Sequence, residues 1–366
     1  MTVIIRTVVI ISGISGSLAY LLSLANKVIA NYGEKKLIIN DDKEYIVTGG
    51  DTLLSSLIEQ EVFIPSACGG KGSCGYCKVK VLEGGGRFLP TESGYVTEEE
   101  KENGVRLSCQ LKVKEDIRIK IPEELFNVKQ YDYYIDFIED VTDKIKHIRV
   151  NLPEGKEINF KAGQYIQLLA PKYKGNPDEI YRAYSIASSP NDTTSLELFI
   201  GYVPDGIATT YVHQYLKPSD RLTIVGPYGE FFYHPGDREM IMVAIGTGLA
   251  PIMSILRYMR DEQIDREVTF YFGSRTRSDL YMMDELKELE KELPNFKLRV
   301  CLSRPTKACN WNGDEGRVTD LLEKYMTESG EKEAYLCGSP PMIDSVIEIL
   351  KDKGMPEALI YYDKFE

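Results

Sequence analysis

Two periodicities divide the chain. Short polar–apolar alternations, typical of half-buried strands, fill much of its first two thirds, and longer apolar runs separated by helical stripes fill the last. Leu37 to Val47 reads as two short strands around the turn residues Asn40, Asp41 and Asp42. Asp51 is placed to cap a helix from Thr52 to Glu61, whose Leu53, Leu54, Leu57 and Ile58 form one apolar stripe. Alternation returns at Lys78–Val81 and Ile117–Ile121, so residues 34–122 predict a small β-grasp domain. The acidic run Glu98–Glu100 reads as a solvated helix face. After a linker from Glu123 to Gln130, short runs such as Leu196–Ile200 predict an antiparallel β-barrel over 131–234. From Met240 the period changes. Strands at Met240–Ile245, Val268–Phe272, Lys297–Leu302, Ala334–Cys337 and Ala358–Tyr362 alternate with helical stripes at Met283–Leu293, Thr319–Met326 and Pro341–Leu350. Residues 235–366 therefore predict a parallel α/β sheet with helices on both faces. The expected class is multidomain, α+β followed by α/β.

One stretch follows neither period. Thr7 to Asn26 is uncharged over 20 residues, about what a helix needs to cross a bilayer. Small residues at four-residue spacing, Ser12 with Gly16 and Gly13 with Ser17, suit packing against another membrane helix. Arg6 precedes the segment, while Lys27, Lys35, Lys36 and Lys43 follow it. That asymmetry predicts a single-pass anchor over residues 1–33 in the inner (cytoplasmic) membrane, with the remaining domains in the cytoplasm. A cleaved signal peptide, with Ser23 and Ala25 before the cut, is the rival reading. Export would part the chain from cytoplasmic dinucleotide.

Charge and cysteine usage narrow the classes further. A net charge of −12 without a basic patch argues against a nucleic-acid partner. The chain has 7 cysteines. Cys68, Cys74 and Cys77 follow a C-x5-C-x2-C spacing interleaved with glycines, and Cys109 lies further on. Four thiolates suit a 2Fe–2S centre, and plant-type ferredoxins use the related C-x4-C-x2-C spacing. They suit structural zinc as well, although zinc sites usually come as two short C-x2-C arms and Cys109 stands alone. The remainder, Cys301, Cys309 and Cys337, does not read as a disulfide framework.

Three further motifs carry chemistry. Arg182-Ala183-Tyr184-Ser185 supplies a planar fork for a phosphate, a flat face for an aromatic ring and a hydroxyl for a ring nitrogen. Gly206-Ile207-Ala208-Thr209-Thr210 reads as a turn entering a helix, whose first N–H groups suit a pyrophosphate. Each is also compatible with an ordinary strand and an ordinary cap. Gly246-Thr247-Gly248-Leu249-Ala250-Pro251 follows a strand and opens a helix, as a phosphate-facing junction requires. Cys337-Gly338-Ser339-Pro340-Pro341-Met342 ends a later strand, so the two together suit a nicotinamide nucleotide. His147, His213 and His234 lack a motif and read as surface or barrel residues.

These motifs, in this order and with the terminal Asp363-Lys364-Phe365, resemble the signature of the ferredoxin–NAD(P)H reductase superfamily. With an anchor and a ferredoxin domain in front, the chain resembles the family of F subunits of sodium-translocating NADH:quinone oxidoreductases. Pro122–Phe126, Phe160–Ile166 and Gly226–Phe232 share in that likeness. The resemblance implies a 2Fe–2S cluster, FAD and NADH as cofactors, and the membrane subunits of a respiratory complex as partners. It implies that Arg182 holds the FAD pyrophosphate, Tyr184 stacks on the isoalloxazine and Ser185 contacts its reactive nitrogen. Cys337 would border the nicotinamide and Phe365 would cover the other flavin face. Gly206, Ala208 and Thr209 would serve FAD; Gly246, Thr247, Gly248, Pro251, Gly338 and Pro341 would serve the dinucleotide. The second-strand loop, with Ser274, Arg275 and Arg277, is where a 2′-phosphate would sit. Its arginines are expected to be partly cancelled by Asp279, Asp284 or Glu285, which predicts NADH over NADPH. Flavin belongs between the other two cofactors, because NADH gives electrons in pairs and the cluster takes them singly. A reductase component feeding an oxygenase is the alternative reading.

Overall fold

Asn40 and Asp41 both adopt positive φ, 54° and 64°, the type I′ geometry that turns a strand straight back on itself. In the computed structural model, which describes residues 6, 11–18, 20, 32–66, 68–306, 309–328 and 330–365, they join β1 (Glu34–Ile39) to an antiparallel β2 (Lys43–Thr48). The uncharged segment expected to span a membrane lies mostly outside those residues. Residues 11–18 and 20 of it are helical and exposed, and no helix among the described residues is long and apolar enough to cross a membrane. The chain divides into two compact units, Met1–Val128 and Lys129–Glu366.

In the first unit α1 (Leu53–Glu59) starts one residue later than the sequence suggests. The Asp51 carbonyl accepts a hydrogen bond from Val113 N (2.9 Å), so it is committed outside the helix. Thr52 caps the helix instead, its Oγ1 accepting from Ser55 N at 3.2 Å. The strands β3 (Lys78–Glu83), β4 (Val105–Leu107) and β5 (Ile117–Lys120) complete a sheet of order β2-β1-β5-β3-β4, with α2 (Glu98–Glu102) outside it. Only β1 and β5 run parallel. Leu37, Ile39, Leu53, Leu57, Leu107, Ile117 and Ile119 are fully buried between α1 and the sheet. Each such side chain contributes about 1.5–3 kcal/mol relative to exposure. This is the expected β-grasp arrangement, with β4 as an addition too short to register as a pattern. Glu98 and Glu99 form the solvated face foreseen, but Glu100 pairs with Lys78 at 2.7 Å.

The connection to the second unit is shorter than the expected linker. A 3-10 turn at Glu123–Asn127 is followed at once by the 14-residue β6 (Lys129–Thr142). With β7 (Ile145–Asn151), β8 (Tyr165–Ala170), β9 (Ile180–Ser185), β10 (Ser195–Gly201) and, after α3 (Ile207–Thr210), β11 (Arg221–Tyr228), it forms an antiparallel sheet of order β10-β7-β6-β11-β8-β9. A single bridge between Ile186 and Leu198 closes β9 onto β10, making the barrel.

The remaining elements alternate as expected: β12 (Glu239–Ile245), α4 (Leu249–Asp261), β13 (Val268–Ser274), α5 (Met283–Glu292), β14 (Phe296–Leu302), the short β15 (Asp314–Glu315), α6 (Val318–Tyr325), β16 (Lys332–Gly338), α7 (Pro340–Asp352) and β17 (Ile360–Lys364). All pair in parallel, in the order β15-β14-β13-β12-β16-β17. Alternation along β12 builds both faces. Met240, Met242 and Ala244 pack against α4 and α5 residues, while Ile241 and Val243 pack against α6 and α7 residues. Phe199 and Phe231 of the barrel join the first of these clusters, so barrel and parallel sheet share one core.

One fully buried carboxylate lies in the first unit. Glu92, 0% exposed, takes three contacts from Arg106 (2.7–3.0 Å) and accepts from Leu107 N and Leu89 N, both at 2.9 Å. Burial pushes its carboxyl up, but Arg106 and those two N–H groups outweigh it and hold the pKa below the usual carboxylate value. Glu92→Ala would leave Arg106 buried without its partner, at about 3–5 kcal/mol. Hydrogen exchange at the β3 and β4 amides should report this as lost protection. Because the folded pKa is lowered, the wild-type contribution is full above the ordinary value of 4.5 and fades as pH falls through the folded one. Unchanged protection in the variant would contradict this.

Candidate functional site

The glycine-rich loop after α1 carries Cys68, Cys74 and Cys77, and Cys109 follows the short β4. Gly72 and Gly75 have φ of 75° and 73°. A Cβ on Gly72 would meet the Gln110 amide at 2.5 Å, and one on Gly75 would meet the Tyr95 ring at 3.0 Å. Only glycine lets the loop wrap this closely. Cys77 and Cys109 are buried, and their segments are joined by Ser108 N donating to Cys77 O (2.8 Å). Cys68 and Cys74 are half-buried. The thiols neighbour one another in two pairs, Cys68 with Cys74 and Cys77 with Cys109. Backbone N–H groups of Ser73 and Lys71 point at the Cys68 sulfur, and that of Gly72 points at Cys109. The Cys74 contact and the nearby N–H groups lower the Cys68 thiol, and the Cys77 contact lowers that of Cys109. Gln110 Nε2 adds a donor 3.5 Å from Cys109 Sγ.

Among the described residues no three His, Cys, Asp or Glu side chains gather round a single ion's position. Four cysteine thiols, with backbone N–H groups toward Cys68 and Cys109, are a donor set that would suit a 2Fe–2S cluster. All seven cysteines are free of disulfides, as expected.

In the second unit Arg182, Tyr184 and Ser185 lie on β9, paired with Leu168, Ile166 and Tyr165 of β8. Ser185 is buried and Tyr184 half-buried, its phenol pKa pushed up by desolvation. Arg182 NH1 donates to the Tyr181 carbonyl (2.8 Å). The Gly206 turn is brought beside this strand because Ala208 packs against Ala170 of β8 and Ile180 of β9. The helix it opens is only Ile207–Thr210, continuing as a π turn to Tyr215. Thr209 Oγ1 is committed to its own loop, donating to Val203 O or Gly206 O and accepting from Val203 N (3.1–3.2 Å). What remains for an anion there is backbone N–H.

The dinucleotide motifs converge at the C-terminal ends of β12 and β16. Here the strand order reverses, with α4 leading to β13 on one side of β12 and β16 lying on the other, the usual ligand crevice of open α/β sheets. Gly248 approaches the Cys337 carbonyl so closely that a Cβ would sit 2.3 Å from its oxygen. Gly246 adopts φ 55°, and its carbonyl accepts from Tyr281 OH (3.0 Å). Thr247 stands beside Gly201 at the end of β10, and Pro251 lies in the first turn of α4. Gly338 and Pro341 follow Cys337 into α7. Cys337 is fully buried, and that burial pushes its thiol well up. Phe365 N donates to Gly338 O (2.9 Å), which holds the terminal aromatic at the same place.

Ser274 ends β13 and Arg275 follows it, and their carbonyls accept from Ser303 N and Arg304 N. The expected neutralisation by neighbouring carboxylates is not what these residues do. Asp279 caps its own turn at Thr276, Glu285 pairs with Arg257, and Arg277 donates to Cys309 O. Capping and a buried ion pair are stronger demands on those carboxylates than a surface arginine.

Sequence reasoning missed two residues here. Tyr281, buried against Phe199 and Phe272, pins the Gly246 turn from outside any motif. Asp363 sits beside Cys337, its carboxyl raised by desolvation to about 6. Its place two residues before Phe365 was the available signal. The histidines are barrel residues as expected, although His147 is not idle: its Nε2 pairs with Glu197 at 2.9 Å.

Comparison with known proteins follows this geometry. Residues 37–114 match the 2Fe-2S iron-sulfur cluster binding domain family, 133–233 the oxidoreductase FAD-binding domain family and 242–348 the oxidoreductase NAD-binding domain family. Over an alignment 390 positions long the chain is 36% identical to the F subunit of the Na(+)-translocating NADH-quinone reductase of Idiomarina loihiensis, covering 95% of each chain. The corresponding F subunit of Neisseria gonorrhoeae is 35% identical over 99% of each. The chain belongs to the family of these F subunits. Its cofactors are accordingly a 2Fe–2S cluster, FAD and NAD, one for each matched domain. Among solved structures, the cytochrome P450 reductase GcoB of Amycolatopsis is similar at TM-score 0.72 and 26% identity, covering 90% of this chain and 98% of that one. The ferredoxin reductase in carbazole 1,9a-dioxygenase is similar at TM-score 0.69 and 25% identity, covering 91% and 99%.

Gly248→Ala tests the crevice. The added Cβ must displace the Cys337 backbone, and a misplacement of about 1 Å can cost about 100-fold in rate. Flavin reduction by NADH, followed by stopped-flow absorbance, should slow by that order, with the iron–sulfur spectrum unchanged. Wild-type reduction would contradict the crevice assignment.

Proposed function

We propose that this chain is the NADH-oxidising, electron-input module of a membrane-bound quinone reductase. The observation that carries the reading is the convergence of Gly246–Gly248, Cys337, Gly338 and Phe365 at the strand-order reversal of the unit that also holds Arg182, Tyr184 and Ser185. FAD, when bound, accepts an electron pair as hydride from NADH and yields single electrons to a 2Fe–2S cluster. Cys68, Cys74, Cys77 and Cys109 are the cluster ligands in this reading. Arg182 and the N–H groups at Ala208 and Thr209 bind the FAD pyrophosphate, and Gly206, whose own N–H donates to Val203 O, caps the turn that presents them. Tyr184 orients the flavin ring and Ser185 donates to its ring nitrogen. Gly246, Thr247, Gly248 and Pro251 receive the dinucleotide, with Ser274 and Arg275 at its adenosine end and Gly338 and Pro341 beside Cys337. Phe365 shields the flavin until the nicotinamide takes its place. NADH is the preferred nucleotide, in keeping with the names of the NADH-quinone reductase relatives.

The domain limits follow: an anchor over 1–33, a ferredoxin domain over 34–122, an FAD barrel over 131–234 and an NAD domain over 235–366. The uncharged Thr7–Asn26 segment and the lysines after it support a single-pass anchor in the inner membrane, with the catalytic domains in the cytoplasm and membrane subunits as partners. The likeness to the P450 and dioxygenase reductases favours a second reading, a reductase feeding an oxygenase. Higher identity over nearly full length to the quinone reductase relatives supports the first.

Deleting Met1–Ala30 should yield a soluble protein that still reduces dyes with NADH. Adding Cys74→Ala should abolish the iron–sulfur spectrum and leave flavin-dependent dye reduction within about twofold, since ligands and hydride site lie in separate units. Loss of dye reduction with FAD still bound would overturn the proposed electron order.

A further inference from the structure

Arg257 lies in the third turn of α4, roughly 14 Å along the helix from Gly248 and away from every motif described above. It is 8% exposed, and all three of its guanidinium nitrogens donate hydrogen bonds. Nε and NH2 donate to the two Glu285 oxygens on α5 at 2.6 and 2.8 Å. NH1 donates to Glu197 Oε2 on β10 and to the Ala187 carbonyl, each at 2.9 Å. Ala187 is two residues past Ser185. The same segment is fastened again nearby. Ser254 Oγ donates to Ser188 O (2.7 Å), Ala187 N to Glu197 O (2.8 Å) and Glu197 N to Ser188 Oγ (3.1 Å). On the far side α5 returns to the dinucleotide turn, because Tyr281 OH donates to the Gly246 carbonyl. Gly246, α4, Arg257, Glu285 and Tyr281 thus close a ring, and one spoke of that ring ends beside the flavin-side serine.

Such a network is a poor way to gain stability. A buried ion pair is often matched or exceeded by well-packed apolar side chains of similar volume, because desolvation offsets the attraction. What a guanidinium donating through all three nitrogens adds is direction, since its donors lie in one rigid plane. Hydride transfer depends on nicotinamide and flavin meeting within a few tenths of an ångström of a productive separation. We propose that Arg257 is a positioning residue for hydride transfer, fixing the dinucleotide turn of α4 against the segment that follows Ser185. The inference rests on the hydride-transfer reading above and adds a residue that touches neither reactant.

The test uses the full chain. In Arg257→Lys a single ammonium cannot span Ala187 O, Glu197 and Glu285 in one plane; Glu285→Gln keeps an acceptor but removes a charge. Both variants should retain FAD and an NADH KM within about twofold, while flavin reduction at saturating NADH falls about tenfold or more. The long-wavelength charge-transfer absorbance between dinucleotide and flavin should weaken in parallel. Amides of residues 187–189 should exchange faster even in protein stripped of FAD. If Arg257→Lys does not hold FAD, Glu285→Gln decides alone by the same readouts. FAD-loaded variants that reduce flavin at the wild-type rate, with unchanged charge-transfer absorbance, would overturn the assignment. A wild-type chain whose flavin NADH fails to reduce would instead overturn the hydride-transfer reading.

Discussion

The approach of Gly248 to the carbonyl of Cys337 is the constraint on which the catalytic unit depends. Any side chain at 248 would bring a Cβ to 2.3 Å from that oxygen. Two strand ends therefore come together only because one of them carries no side chain, and the crevice for a nicotinamide opens where they meet. The neighbouring elements take their places from this contact. Tyr281 holds the Gly246 carbonyl, Thr247 abuts the end of β10, and Phe365 is hydrogen-bonded to Gly338 just after Cys337. The shared core of barrel and parallel sheet, with Phe199 and Phe231 among the α4 residues, turns a local contact into a fixed relation between two sites.

The ferredoxin unit solves a different problem, the gathering of four sulfurs that repel one another once ionised. Glycines let the loop fold back, N–H groups of Lys71, Gly72 and Ser73 face the sulfurs, and Cys109 is delivered by the short β4. That strand is anchored by Glu92 through Arg106 and Leu107 N. Here too a buried polar contact sets a position. Its Coulombic gain is largely offset by desolvation, so its consequence is geometry.

What the sequence made legible was local. The cysteine spacing, the Arg182–Ser185 strand and the Gly246–Pro251 turn each place their chemistry within a few residues, and periodicity alone marked the parallel sheet. What stayed hidden was long-range. The Asp51 carbonyl is claimed by Val113, so the cap moved to Thr52; β4 spans only Val105–Leu107; Glu92 finds its partner fourteen positions on; and Arg257 joins residues from β10, α5 and the segment after β9. The carboxylates expected to mask Arg275 were likewise drawn elsewhere, Asp279 into a cap and Glu285 to Arg257. No window of neighbouring residues records such pairings, because each depends on the completed fold.

The central claim is an order of events: NADH, then flavin, then iron–sulfur cluster. Anaerobic mixing of the full chain with one equivalent of NADH, freeze-quenched at increasing times, reads it directly. The account predicts that flavin absorbance bleaches first and that the electron paramagnetic resonance signal of a reduced 2Fe–2S cluster grows afterwards, with two irons per chain. Zinc in place of iron, or a cluster signal that rises before the flavin bleaches, would contradict it.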